Sequence, residues 1–342
     1  MMLETAIDPW IIGEAAFPAK GSDADRLRFL LNYAVLAPSG HNTQPWLFKV
    51  SGDTVEVYAD RSRSLPAVDP GDRELVMSCG AALFNLRIAL RHFGYQAVVE
   101  IRGTSDHPDS LARVRLGGKG KATREEEALF QAITRRRTHR LPFEKDDIPA
   151  SVLDRLRAAA SEEGVWLQII EGEDARHAVA ELMTQGDEVQ ARDVTYRGEL
   201  QTVVHPNRST YREGIPAHAL GEGGIEAYLN PLAAGPTGEA DPATGDRQLA
   251  TGAPLLVVLG TDANTQRDWI IAGQALERVL LRACVDGVGA SFLNQPVEVA
   301  GQWPELRRIT GRSGFPQVLL RMGYAIPTQA TPRRTVREVL IG

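Results

Sequence analysis

The sequence predicts an α+β protein built from two tandem half-domains that pair within one chain as an intramolecular pseudo-dimer. Amphipathic helical stretches alternate with short strand-like runs along the chain. Two helices also share a spaced pattern: Gly80, Ala82, Leu83, Gly94 and Ala97 match Gly273, Ala275, Leu276, Gly287 and Ala290 at a constant offset of 193 residues (273 − 80). Glycine ends many helices, so this match favours duplication without establishing it. Chemistry-bearing motifs, finally, are shared out unequally, with a polar loop in the first half and an arginine run in the second. The expected halves are 1–122 and 123–342, the second carrying a lid-like insert near 187–252.

Each element follows from its local pattern. Leu27, Leu30, Leu31, Ala34 and Val35 recur at helical spacing behind Ser22 and Asp25, which read as a capping box. That helix runs into the loop APSGHNTQPW. Residues 54–60 (TVEVYAD) alternate apolar and polar side chains after a Ser-Gly-Asp turn, so 47–60 reads as a hairpin. A helix with Ala82, Leu83, Leu86, Leu90 and Phe93 on one face stops at Gly94, and a strand near 112–117 closes the half.

The second half opens with the capping box Thr123/Glu126 on a helix expected to have an acidic first turn and an arginine-rich last turn ending at RRRTHR. Pro149 precedes a helix carrying Val152, Leu153, Leu156 and Ala160. VWLQII reads as a strand and PLLVVLG at 254–260 as a fully buried one. Residues 270–286 form an apolar helical face stopped by Gly287, and 317–324 is the last strand. The stretch from about Asp187 to Gly252 is rich in Gly and Pro and has no counterpart in the first half. Connections of that length are usually lids or disordered segments.

A formal net charge of −6 over 342 residues argues against nucleic acid as a partner, because phosphate backbones need a positive surface. No run of about 18 apolar residues suggests a membrane span. The N-terminal 20 residues begin acidic and break their apolar stretch at Gly13, Glu14 and Pro18, unlike a secretory signal. With only Cys79 and Cys284, no disulfide framework is expected, and a reducing cytoplasm is the natural compartment. No CxxC, HExxH, GxSxG or P-loop spacing occurs, so neither a metal nor a side-chain nucleophile is expected.

Three stretches could carry chemistry. Residues 135–140 (RRRTHR) place four guanidiniums and a hydroxyl together, a dense donor set for a phosphate, although an isolated run of this kind is often a solvated helix end. Arg333 and Arg334 form a second basic pair, and two such clusters converging on one dianion would explain strong charges in an acidic chain. The loop at 37–46 packs Ser39, Asn42 and Gln44 into a turn closed by Pro45 and Trp46. It suits a flat polar heterocycle, or equally a helix-to-strand link around a buried Trp46. GVGASFLNQPVE at 287–298 ends in a polar turn at Asn294 and Gln295, or is an ordinary helix–strand connection.

Taken in order, APSGHNTQPW, RRRTHR followed by PF, GVGASFLNQP and the terminal PRRTVREVL resemble the nitroreductase family, and specifically its Acg-like branch of fused, two-domain members. The resemblance covers nearly the whole chain. It implies the nitroreductase-like α+β fold with FMN buried between the halves. It also implies that Arg136, Arg137, Thr138 and Arg140 hold the ribityl phosphate together with Arg333 and Arg334. Ser39, Gly40, Asn42 and Gln44 would reach the flavin from the opposite half, and Leu293, Asn294 and Gln295 would face its N5 edge. Asn-Gln replaces the family's frequent Gly-Gly or Glu-Gly at that last turn. Because each half keeps a different part, one flavin site is expected.

The activity implied is two-electron transfer from NAD(P)H through flavin N5 to a small electron-poor acceptor such as a nitroaromatic or quinone, with no catalytic side chain. A monomeric pseudo-dimer and a homodimer both fit. The alternative is an FMN-binding or sequestering protein whose lid covers the flavin, with little or no turnover.

Overall fold

A computed structural model describes residues 8–102, 108–207, 210–220 and 252–342 of the chain. Local sequence signals set most of its elements. Helix α1 (Asp23–Ala34) starts at the expected box: the Ser22 N–H donates to Asp25 Oδ2 (3.1 Å), and the Asp25 N–H donates to Ser22 Oγ (3.2 Å). It buries Leu27, Leu30 and Leu31. Strands β1 (Trp46–Ser51) and β2 (Thr54–Ala59) form the hairpin, with Gly52 at φ +57 supplying the left-handed turn residue. Helix α2 (Arg73–His92) follows, then β3 (Tyr95–Ile101) and β4 (Ser110–Lys119), giving an antiparallel sheet of order β1-β2-β4-β3. Strand β3 has no clear sequence signature because apolar Val98 takes an exposed position between Gln96 and Glu100, which breaks the apolar/polar alternation.

Helix α3 (Arg124–Ile133) has its Thr123/Glu126 box but ends before the arginines. Residues 135–140 are therefore not a last helical turn. They run as an extended edge beside the second sheet, where Thr138 bridges Ala290 in parallel and the His139 N–H donates to Ala290 O at 2.9 Å. Tertiary pairing overrides helix continuation here.

The second half then repeats the first. Helix α4 (Ala150–Glu162) follows Pro149, and β5 (Trp166–Ile169) pairs with β8 (Leu255–Thr261), which is buried along its whole length. Helix α7 (Gln266–Val285), β9 (Gly289–Phe292) and β10 (Phe315–Gly323) complete a sheet of order β5-β8-β10-β9. Helix-strand-strand-helix-strand-strand thus occurs twice with the same sheet order, so the fold is α+β in two tandem copies. The largest difference lies between the first two strands. A two-residue turn joins β1 to β2, whereas β5 and β8 are separated by α5 (Glu173–Arg192), α6 (Val194–Val203) and the short parallel pair β6 (Val204–His205) and β7 (Ile215–Pro216). Part of the stretch expected as a Gly- and Pro-rich connection is therefore helical; its residues 221–251 lie outside the described residues.

Helices α2 and α7 cross at the centre, and the crossing is reciprocal. A Cβ on Gly80 would stand 2.3 Å from Ile270 O, and one on Gly273 would stand 1.9 Å from Met77 O. Both pairs keep the 193-residue offset of the sequence repeat. Met77 correspondingly joins the second half's core and Ile270 the first half's. This is the geometry of an isologous two-fold contact, folded into one chain. The C-terminus also crosses over: after α8 (Gln295–Glu298), α9 (Trp303–Thr310) and β10, the tail forms α10 (Val336–Val339), and the Ile341 N–H donates to Phe48 O on the edge strand β1 (2.9 Å).

Candidate functional site

The loop 39–44 is the centre of the site. His41, Asn42 and Gln44 all have positive φ (47, 58 and 51), a conformation that costs non-glycine residues on the order of 1–3 kcal/mol each and persists only where the surroundings hold it. They do so here. Ser39 Oγ accepts from the Gln44 N–H (2.9 Å), and Thr43 Oγ1 donates to Gly40 O (2.9 Å). The Asn42 amide donates to Gly214 O (2.8 Å) and Pro332 O (3.1 Å). Gln44 is fully buried, donating to Arg212 O (2.7 Å) while its Oε1 accepts from the Arg334 N–H (2.7 Å).

At one end the loop meets a basic cluster. Arg333 donates through Nη1 to Asn42 Oδ1 (2.7 Å) and Thr331 Oγ1 (2.7 Å), while its buried Nε has no hydrogen-bond partner. Burial, followed by the charges of Arg136, Arg137 and Arg140, pulls this guanidinium well below its usual range. Arg136 donates to Leu36 O (3.3 Å), and its Nε, 3.7 Å from Glu277 Oε1, is also without a hydrogen bond. Arg140 donates to Ala219 O (3.1 Å). Arg137 turns Nη1 onto the carbonyls of Thr134 (3.0 Å) and Arg136 (2.7 Å), and burial lowers it to about 10. His41, half-buried beside Arg140, is pushed down to about 4 chiefly by desolvation and stays neutral at physiological pH. The arginine run owes its path to Arg321 on β10, which is buried and donates to Leu141 O (3.0 Å), His139 O (3.3 Å) and Arg140 O (2.8 Å).

Not every expected residue joins this cluster. Arg334 points the other way, donating to Gln44 O (3.0 Å) and Glu338 O (2.7 Å) with Asp60 at 3.7 Å. Thr138 is placed by its backbone bridge to Ala290, and Arg135 is exposed.

At its other end the loop meets carboxylates. The Gly40 N–H donates to Ser78 Oγ (3.3 Å), and a Cβ on Gly40 would stand 3.4 Å from Glu74 Oε2. Asn294 donates to Glu74 Oε1 (3.0 Å), and its Oδ1 accepts from the Leu319 N–H (3.2 Å). The turn at 293–295 therefore reaches the first half through Glu74. Burial raises the Glu74 carboxyl to about 7 against the opposing charge of Arg73, and it raises neighbouring Glu298 further. Leu293 is buried in a separate cluster with Leu182, Met183 and Leu319, and Gln295 turns to Asp187 of α5 (3.0 Å).

Three residues here escaped the sequence reading. Glu277 is completely buried beside Arg136, and burial pushes its carboxyl up to about 7. A lone carboxylate inside the apolar face Leu276, Val279, Leu280 was the available signal. Glu74 and Trp10, whose indole lies against the Arg137 and Arg333 guanidiniums, had no such signal, since a charge at a helix start and an N-terminal aromatic are both commonplace. Among the described residues no group of three or more His, Cys, Asp or Glu is placed to hold a metal ion. Among them too, no helix is long and apolar enough to cross a membrane.

The arrangement is a one-chain, two-fold-like assembly with a buried arginine cluster and a polar loop reaching it from the other half. Its relatives identify the family. "Putative NAD(P)H nitroreductase Rv3131" of Mycobacterium tuberculosis H37Rv is 32% identical, with 96% of this chain and 94% of that protein covered. "Putative NAD(P)H nitroreductase acg" of the same organism is 29% identical over 92% of this chain and 95% of its own length. The chain belongs to the NAD(P)H nitroreductase family. No family model matches it. Among solved structures, the FMN-dependent nitroreductase NfnB from Mycobacterium smegmatis in complex with NADPH aligns with a TM-score of 0.40 at 16% identity, covering 62% of this chain and 96% of that one.

Proposed function

We propose that this protein is an FMN-dependent oxidoreductase passing two electrons from NAD(P)H to a small electron-poor acceptor, with a single flavin site between the halves 1–122 and 123–342. The observation that carries the reading is the convergence of Arg136, Arg140 and Arg333 beside the strained loop 39–44. Two buried guanidinium Nε–H groups there lack partners, and a phosphate monoester dianion satisfies such groups. FMN would supply the redox chemistry.

The chain's own residues have separate tasks in this reading. Arg136, Arg140 and Arg333 bind the phosphate, while Arg137 and the Thr138 bridge hold the run in place. Ser39, Gly40 and Asn42 orient the ring from the first half, and Gln44 with Arg334 locks that loop. Leu293, Asn294 and Gln295 form the opposing wall, with Glu74 holding Asn294 in position. No side chain acts as nucleophile or obligatory acid–base group. The cradle is tested by Arg136→Ala with Arg140→Ala. FMN affinity is expected to fall at least a hundredfold, as two charge-assisted hydrogen bonds of roughly 1.5–3 kcal/mol are lost, and unchanged affinity sinks the assignment.

The second reading is a flavin-sequestering protein, and one observation favours it. Residues 212–219 of the insert dock on the site, receiving hydrogen bonds from Asn42, Gln44 and Arg140. Anaerobic stopped flow of the FMN-loaded protein with NADPH and then NADH separates the two. Rapid bleaching of the flavin supports the reductase, and bleaching by neither nucleotide supports sequestration.

A further inference from the structure

The segment before α1 has none of the arginines that precede α4, yet it reaches the same cluster. Trp10 stands 13 residues before the first residue of α1, and Arg137 stands 13 before the first residue of α4. The indole lies against the guanidiniums of Arg137 (3.9 Å from the ring centroid) and Arg333 (5.0 Å). Its Nε1–H donates to Thr331 O at 2.9 Å. Thr331 is also the residue whose hydroxyl receives the Arg333 Nη1 hydrogen bond, so indole and guanidinium are held by one turn. The main chain around Trp10 is pinned in turn by Asp8, whose Oδ1 accepts from the Trp10 N–H (3.0 Å) and whose carbonyl accepts from the Ile11 N–H (3.0 Å).

Arg137 and Arg333 come from distant parts of the chain and repel each other, and neither is ion-paired with a carboxylate among the described residues. An aromatic face solves the problem this sets. Its quadrupole attracts both cations without neutralising either, whereas a carboxylate in the same place would compete with an incoming anion for the same donors.

We propose that Trp10 is a positioning residue of the phosphate cradle, a π clamp that holds Arg333 toward one anion and braces it against Arg137, which keeps the arginine run in place. The first half thereby contributes to the cradle as well as to the polar loop. The inference rests on the reading that FMN phosphate occupies the arginine cluster.

Its test compares FMN with riboflavin, which lacks the phosphate, by equilibrium titration of the full-length apoprotein. Trp10→Leu keeps apolar bulk and removes the π face; Trp10→Phe keeps a face. Trp10→Leu is expected to weaken FMN by about tenfold, the scale of one to two cation–π contacts, and to leave riboflavin affinity within about twofold. Trp10→Phe should recover most of the FMN loss. Parallel loss of both ligands in Trp10→Leu, or wild-type FMN affinity in that variant, overturns the clamp while leaving the cradle standing. If the wild-type protein does not prefer FMN to riboflavin, the cradle itself is refuted and the clamp falls with it.

Discussion

The two halves share a helix-strand-strand-helix-strand-strand order and the same sheet topology, but they have diverged unevenly. At the crossing of α2 and α7 they remain matched: Gly80 faces Ile270 and Gly273 faces Met77 so closely that a Cβ on either glycine would overlap the opposite backbone. Away from that crossing they differ wherever the site lies. Glu277, beside Arg136, has Phe84 as its counterpart at the 193-residue offset, and both are fully buried. The arginine run before α4 faces an arginine-free segment before α1, and a two-residue turn in one half is an excursion of two helices in the other. The lesson is about constraint. A side chain at either crossing glycine would strike the backbone of the opposite helix, whereas a fused chain needs only one complete site and can release the other copy.

That contrast can be broken first at the crossing. Gly273→Ala and Gly80→Ala should each destabilise by about 3 kcal/mol or more, because backbone cannot yield as a flexible side chain does. Chemical denaturation would read this. Two of the stop glycines, Gly94 and Gly287, have positive φ but no close neighbour for a Cβ, so alanine there should cost only about 1 kcal/mol. Equal costs at both kinds of site would show that the crossing is not special.

The site side of the contrast is sharpened by pH. Glu277 titrates near 7 when folded and near 4.5 when unfolded, so the folded state binds the extra proton between those values. Its contribution is fully present below about pH 4.5 and is lost as pH rises through 7, a decline of about 3 kcal/mol. Glu277→Gln should flatten the slope of unfolding free energy between pH 4.5 and 7.5 relative to wild type; an unchanged slope removes Glu277 as its source. The smallest effect is at the helix starts. The Thr265 side chain caps α7 in a box with Asp268, whereas Asp72 before α2 makes no side-chain cap. Thr265→Ala should lower the unfolding free energy by about 1 kcal/mol.

Much of the fold was legible because its signals are local. The boxes at Ser22 and Thr123, the turn at Gly52 and the stops at Gly94 and Gly287 act over three or four residues, and each lies where the pattern places it. Strand β3 was not legible, since the exposed Val98 interrupts its alternation. The end of α3 was not either, because residues 135–140 leave the helix to pair with β9 and with Arg321.

For the site, the sequence alone determined which residue types are available: two basic clusters, a polar loop and a polar turn. Only the tertiary structure decided their assignments. It turned Arg333 inward and Arg334 toward Asp60, brought Trp10 onto two arginines, and set Glu74 between Gly40 and Asn294. The physical reason is range. Caps and turns are settled by neighbours along the chain. The convergence of residues 10, 42, 136 and 333 depends on how two cores cross at a pair of glycines, and no local pattern encodes that.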